Sequence, residues 1–330
     1  MSELNDLVDL PHIWDRMARV EERLFEVTDS DHRYLTEIAQ HLLAAGGKRY
    51  RPLLALLSAE FGPEPDLRPV EAGVAVELIH VGSLYHDDVI DEADTRRGAS
   101  SVNANWSNTV AILAGDFLMA RASETAATHL DQESVRILAA TYAELVEGQT
   151  RELALDYDLD HGIADYERVI YQKTASLIRT SARLGAKASG ADDHTVEAVS
   201  DWAAEVGMVF QIADDVLDLV ATSEVLGKPA GSDIREGKFT MPVLRALEGP
   251  ERDRVKKLLG QARPYGDDAV DEIIEIVRSG GYANEALDAA RRRLARASDA
   301  LSTLPDGPAR SVLTQLGAYL VDRVASIETA

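Results

Sequence analysis

Apolar residues recur at helical spacing along almost the whole chain, and no stretch shows the sustained alternation, bounded by turn residues, that marks a strand. The pattern predicts helices over about 12–27, 31–45, 50–61, 68–92, 107–128, 132–155, 165–189, 194–221, 239–247, 251–261, 267–279, 282–303 and 308–328. Glycine and proline fall in the gaps, at Gly62-Pro63, Gly98, Gly162, Gly190, Gly249-Pro250 and Pro305-Asp306-Gly307. Neither a composition shift nor a low-complexity linker divides the sequence, so the expectation is an all-α fold in a single large helical domain, 1–330.

One short repetition stands out from this background. "DDVID" at 87–91 recurs as "DDVLD" at 214–218, each at the end of an apolar helical run. Asp87 and Asp91 are four apart, as are Asp214 and Asp218, so each pentad stacks two carboxylates on one helical face about a turn apart, where they repel. A solvated acidic face explains one such pentad in an acidic protein. Two copies flanked by Leu84, Val89 and Ile90 and by Phe210, Ile212, Val216 and Leu217 call for a neutralising cation.

Composition then narrows the partner. With 34 basic against 57 acidic residues and a net charge of −23, a broad nucleic-acid or anionic-lipid surface is excluded. Cysteine is absent, which removes disulfides, thiolate metal sites and cysteine nucleophiles. Clustered aspartates with few histidines suit Mg²⁺, which completes its octahedron with water and phosphate oxygens. The acidic start "MSELNDLVDL" lacks the form of a secretory signal, and "LLALLSA" is too short to span a bilayer, so no integral membrane segment is expected and a cytoplasmic protein is.

The few basic residues supply the complementary half. "GGKRYRP" at 46–52 places three cations at a helix start, Arg96 and Arg97 follow the first pentad, and Lys173, Lys228 and Lys238 sit in "QKTAS", "GKPAG" and "GKFTMP". Singly, each reads as a surface cation or a helix C-cap. Together they read as walls for more than one phosphate group, one held through metal and another directly by arginine or lysine.

In order and spacing, "GGKRYRP", "ELIHVGSLYHDDVID", "TRRG", "GD" at 115–116, "EGQ" at 147–149, "KTAS", "GMVFQIADDVLD" and "GKPAGSDIREGKFTMP" make the chain resemble the trans-type isoprenyl diphosphate synthases from about residue 40 onward. The resemblance implies an all-helical, isoprenoid-synthase fold around a deep central cavity, a homodimer, and two aspartate motifs facing each other across the cavity mouth. It also implies head-to-tail condensation of isopentenyl diphosphate with an allylic diphosphate, with the released pyrophosphate as proton acceptor. No protein nucleophile is required. By the same resemblance Asp87 and Asp91 are metal ligands with Asp88 beside them, and Asp214 ligates from the opposite wall with Asp215 and Asp218 nearby or acting through water. Arg96, Lys173, Thr174, Gln211, Lys228 and Lys238 match positions that hold the allylic diphosphate, and Lys48, Arg51, His80 and Arg97 those that hold isopentenyl diphosphate. A lone histidine on an apolar helix is usually a core residue; only its place in "LIHVGSLYHDD" makes His80 a ligand. Arg49 and Tyr50 are expected in packing or salt bridges, and Gly227, Gly231 and Gly237 in a loop that bends over the site.

Gly82 and Ser83, five and four positions before Asp87, lie about 6–8 Å below the metal site at 1.5 Å per residue. If they line the cavity, their small size leaves room for a product longer than farnesyl diphosphate, geranylgeranyl or longer, with a floor deeper down at Tyr142 or Leu145. The alternative is that they permit close helix packing. Three rival readings exist: a class I terpene cyclase, which needs one diphosphate site; a subunit of a heteromeric prenyl synthase, which need not keep metal ligands; and a plain helical scaffold, which leaves the motif order unexplained.

Overall fold

The computed structural model describes residues 2–63, 67–221 and 229–328. Helices follow one another as α1 (Ser2–Leu7), α2 (Pro11–Val27), α3 (Arg33–Ala39), α4 (His41–Ala44), α5 (Tyr50–Ala59), α6 (Arg68–Ile90), α7 (Val102–Asn105), α8 (Asn108–His129) and α9 (Gln132–Leu155). They continue as α10 (Ile163–Ile170), α11 (Ser176–Ala188), α12 (Asp193–Val220), α13 (Ser232–Glu236), α14 (Met241–Glu248), α15 (Arg252–Leu259), α16 (Asp267–Ser279), α17 (Tyr282–Ser302) and α18 (Pro308–Glu328). Two departures from the sequence expectation bear on the site. A two-stranded hairpin, β1 (Thr95–Arg96) and β2 (Ala99–Ser100), follows α6, and a π-helical turn, Tyr171–Ala175, separates α10 from α11. The helix expected over 31–45 also breaks at Gln40, between α3 and α4.

Side chains at the helix starts account for much of this segmentation. Ser107 Oγ accepts from the Val110 amide at the start of α8, Asp131 Oδ1 from Ser134 at α9, and Asp192 Oδ1 from Thr195 at α12. Proline occupies the first turn of α2, α6 and α14, where its missing N–H has no helical acceptor to lose.

The chain divides into two compact units. The first comprises residues 1–143, 177–200 and 304–312, and α6 is its centre: every residue from Pro69 to Ile79 is buried, against α8, α5 and α2. Such a helix shows no polar face in sequence. Two glycines set its distance from α8. A Cβ on Gly82 would lie 3.2 Å from the Gly115 carbonyl, and one on Gly115 would lie 2.3 Å from His86 Nε2. The second unit comprises residues 144–176, 201–303 and 313–330, with a core drawn from α12, α14, α16 and α17 that includes Val209, Ile212, Val216, Leu244, Ile273 and Leu287. Among the described residues no helix is long and apolar enough to cross a membrane.

Candidate active site

The first pentad ends α6. There Gly82, Tyr85 and Asp88 are buried, His80, Ser83, Leu84 and Asp87 are half-buried, and Asp91 is exposed. Residues 80, 83–84, 87 and 91 therefore form one stripe that opens toward the C-terminal end of the helix. Asp88 points elsewhere. Its Oδ1 accepts from Arg96 Nε at 2.7 Å and lies 2.6 Å from Nη2 in the same ion pair, and burial raises its carboxyl above the usual range against the pull of Arg96. Asp88 thus anchors Arg96, whereas Asp87 and Asp91 lie on the open stripe.

The hairpin sends two adjacent arginines to different places. Arg97 and Gly98 both adopt left-handed backbone, φ 55° and 76°, as a two-residue type I′ turn requires. Arg97 then reaches α4 and the loop before α5, where Nη1 donates to the carbonyls of Leu42 at 3.1 Å and Gly46 at 2.6 Å. Arg49, also left-handed at φ 48°, donates to Glu21 at 2.5 and 3.2 Å, to Glu77 at 3.1 Å and to the Leu43 carbonyl at 3.0 Å, so salt bridging is its role, as expected. Lys48 beside it is exposed.

Arg51 Nε is buried with no hydrogen-bond acceptor among the described residues, which suits a position awaiting an anion. Burial above all pulls the Arg51 guanidinium down to about 10, with Glu77 opposing and Arg97 adding to the shift. Burial, then the charges of Arg51, Arg97, Arg49 and Arg96, hold His80 well below its usual range. His80 is accordingly a neutral imidazole near pH 7, able to donate one hydrogen bond and contributing no charge.

The second pentad ends α12, with Asp214 exposed and Asp215 and Asp218 buried. Asp215 Oδ2 accepts from Tyr166 Oη at 2.5 Å and Oδ1 from Gln211 Nε2 at 2.8 Å; Gln211 Oε1 in turn accepts from Thr174 Oγ1 at 3.0 Å. This chain fixes the orientation of the Gln211 amide. Asp218 Oδ2 accepts from the Asp233 amide at 3.3 Å, and its carbonyl from the Gly231 amide at 2.8 Å, fastening α13 to the end of α12.

Lys173 and Thr174 sit on the π-helical turn, where Lys173 Nζ pairs with Glu152 and Gln172 Nε2 donates to Glu147 at 3.1 Å. The "EGQ" stretch now has a reason. A Cβ on Gly148 would lie 2.8 Å from the Lys173 backbone nitrogen, so only glycine lets α9 pass this close to the turn. Lys238 Nζ donates to Glu236 at 2.8 Å. Gly231 and Gly237 were expected to give a loop freedom to bend; instead both are buried and left-handed, φ 73° and 82°, and a Cβ on Gly237 would lie 2.5 Å from the Tyr157 ring. Their requirement for glycine is steric. Lys228 and Gly227 lie outside the described residues.

The chain-length expectation changes as well. A Cβ on Gly82 would lie 2.8 Å from Met119 Cε and 3.3 Å from Leu118 Cβ, so Gly82 faces α8 and serves close packing, leaving Ser83 on the stripe shared with His80 and Asp87. On α9, Tyr142 is half-buried and Leu145 buried. Glu77, Glu152 and Tyr166 were not anticipated. Only Glu77 left a trace in sequence, a carboxylate inside the apolar run "VEAGVAVELIHVG".

The sequence profile of the polyprenyl synthetase family matches residues 32–277. Nonaprenyl diphosphate synthase of Mycobacterium tuberculosis is 43% identical over 325 residues, covering 97% of this chain and 96% of that protein. Heptaprenyl diphosphate synthase component 2 of Geobacillus stearothermophilus is 41% identical over 310 residues, 94% of this chain and 96% of its own. Among solved structures, a polyprenyl synthase from Caulobacter crescentus complexed with calcium and isoprenyl diphosphate superposes with a TM-score of 0.89 at 33% identity, covering 97% of this chain and 98% of the other. Sequence profile, full-length relatives and fold agree, and the chain belongs to the polyprenyl synthetase family, as a prenyltransferase that makes polyprenyl diphosphates.

Proposed function

We propose that this enzyme adds isopentenyl diphosphate head-to-tail to an allylic diphosphate, with Mg²⁺, to give a trans-polyprenyl diphosphate of the heptaprenyl-to-nonaprenyl class. The observation that carries this reading is that each of two aspartate pentads ends a largely buried helix and has its own set of basic side chains. Each unit carries one pentad, and the chain would act as one catalytic domain, 1–330.

The donor set fits a hard divalent cation. Asp87, Asp91 and Asp214 offer carboxylate oxygens alone, and among the described residues no group of three or more His, Asp or Glu side chains can hold a metal unaided. The remaining ligands must be water and diphosphate, which suits Mg²⁺. When bound, it neutralises the charge that develops on the departing pyrophosphate. The Caulobacter structure, with calcium and isoprenyl diphosphate, supports this use of a divalent ion.

The side chains divide the remaining work. Arg96, Lys173 and Lys238, each already steered by a carboxylate, stabilise the allylic pyrophosphate as its C–O bond breaks, with Thr174 and Gln211 orienting it. Lys48, Arg51 and Arg97 hold isopentenyl diphosphate with a hydrogen bond from neutral His80. Its double bond attacks the allylic carbon, and the proton then lost goes to the released pyrophosphate. Lys48→Ala is expected to raise the KM for isopentenyl diphosphate by about 10-fold or more, and Lys173→Ala that for the allylic substrate, each losing one charge-assisted contact. Steady-state kinetics with each substrate varied in turn checks this; a Lys48→Ala effect on the allylic KM alone would invert the assignment.

Assembly as a homodimer is supported by exposed Ile112 (44%) and Leu113 (59%) on α8 and Val146 and Leu153 on α9, large apolar side chains that a partner would cover. Leu113→Asp is expected to convert a dimer to a monomer in light scattering. A heteromer is the second reading, because the Geobacillus relative is named as a component. Turnover by the purified chain alone excludes it.

A further inference from the structure

We propose that Glu77 is a positioning residue for the isopentenyl diphosphate pocket, a buried counter-anion that spends Arg49 as a strut and holds Arg51 and Arg97 ready for the substrate. The proposal rests on the assignment of Lys48, Arg51, His80 and Arg97 to that substrate.

Glu77 lies on α6, one turn before His80, and is 1% exposed. Burying a carboxylate costs several kcal/mol before pairing, and an apolar side chain there would pack α6 at no such cost. Three guanidiniums from two separate segments offset the cost. Arg49 Nη1 donates to Glu77 Oε1 at 3.1 Å, Arg97 Nη2 lies 3.7 Å from the same oxygen, and Arg51 is close enough for each group to shift the other's titration. Burial lifts the Glu77 carboxyl above its usual range, and Arg49, Arg51 and Arg97, in that order, oppose the rise without reversing it.

The three arginines are not equivalent. Arg49 divides its donors among Glu21, Glu77 and the Leu43 carbonyl and keeps little for a ligand. Arg51 has a buried Nε without an acceptor among the described residues, and Arg97, anchored through Nη1 on the Leu42 and Gly46 carbonyls, keeps Nη2 3.7 Å from Glu77. The Gly46-Gly47 backbone runs against both neighbouring guanidiniums: a Cβ on Gly47 would lie 3.0 Å from Arg97 Cζ and 3.1 Å from Arg49 Nη1. Lys48 follows directly. One buried carboxylate therefore fixes the loop that carries Lys48 and keeps Arg51 and Arg97 from repelling each other before a diphosphate arrives.

Glu77→Gln keeps the shape and removes the charge. Its expected result is a KM for isopentenyl diphosphate raised by about 10-fold or more, with the allylic KM within about twofold of wild type, since the loss falls on charge-assisted contacts to one substrate. Glu77→Asp restores the charge one methylene back and is expected to recover part of the lost affinity; it also serves as the test if the glutamine variant fails to fold. Isothermal titration of isopentenyl diphosphate into each folded variant provides the second readout. If both KM values rise together, or if folded Glu77→Gln and Glu77→Asp bind isopentenyl diphosphate as wild type does while Lys48→Ala does not, the proposal is overturned and the pocket assignment stands. If Lys48→Ala also binds normally, the pocket assignment itself fails.

Discussion

Asp87→Ala and Asp214→Ala are each expected to lower kcat/KM by at least about 10²-fold with no loss of thermal stability, because each removes a carboxylate acting on charge that develops only in the transition state. Asp87 lies on the half-open stripe of α6 and Asp214 is exposed at the end of α12. Within each pentad the neighbouring carboxylates repel it, and its removal relieves that repulsion. The adjacent Asp215→Ala is expected to behave differently. It strands the Tyr166 hydroxyl and the Gln211 amide, which donate to Asp215 at 2.5 and 2.8 Å, and costs about 1–3 kcal/mol of stability, read as a lower Tm. Turnover and melting curves on the three variants together separate metal ligands from structural carboxylates. Near wild-type turnover of Asp87→Ala or Asp214→Ala at saturating Mg²⁺ would remove the metal assignment.

The sequence announced the helices and the chemistry far better than it announced which side chains face which way. Segments such as 132–155, 267–279 and 308–328 coincide with α9, α16 and α18, because each has its own start signal and a half-buried period. The hairpin at 95–100 escaped because two-residue strands are too short for alternation to show; only Arg97-Gly98, a pair in left-handed backbone, marks the turn. The π-helical turn escaped because a single widened turn is too short to show in the apolar spacing; the mark it leaves in sequence is Gly148, which lets α9 pass close to it. In α6 the periodicity carries no directional information at all, since residues 69–79 are buried on every side. The types and order of Asp87, Asp88 and Asp91 were legible, but the inward turn of Asp88 toward Arg96 depends on where the hairpin returns, which is a tertiary fact. The same limit explains Gly82, whose smallness signals that something comes close without saying whether it is a substrate or α8.

That distinction can be measured. Gly82→Phe is expected to destabilise the protein without shortening the product: its Cβ alone would lie 2.8 Å from Met119 Cε and 3.2 Å from the Gly115 carbonyl, so a ring must push α6 from α8 at about 1–3 kcal/mol or more. Ser83→Phe is expected to act on the product. Ser83 is half-buried, its hydroxyl donates to the His80 carbonyl at 2.9 Å, and it shares the open stripe with Asp87 one turn, about 6 Å, farther along α6. A growing chain that leaves the first pentad along this stripe meets position 83 within its first isoprene units. An aromatic ring there fills volume that serine leaves open, and elongation stops near farnesyl or geranylgeranyl diphosphate. Chromatography of the dephosphorylated products, paired with melting curves, decides between the two positions. A wild-type enzyme that stops at farnesyl, or a Ser83→Phe variant of wild-type stability and unchanged product length, would show that the chain does not run along this face of α6.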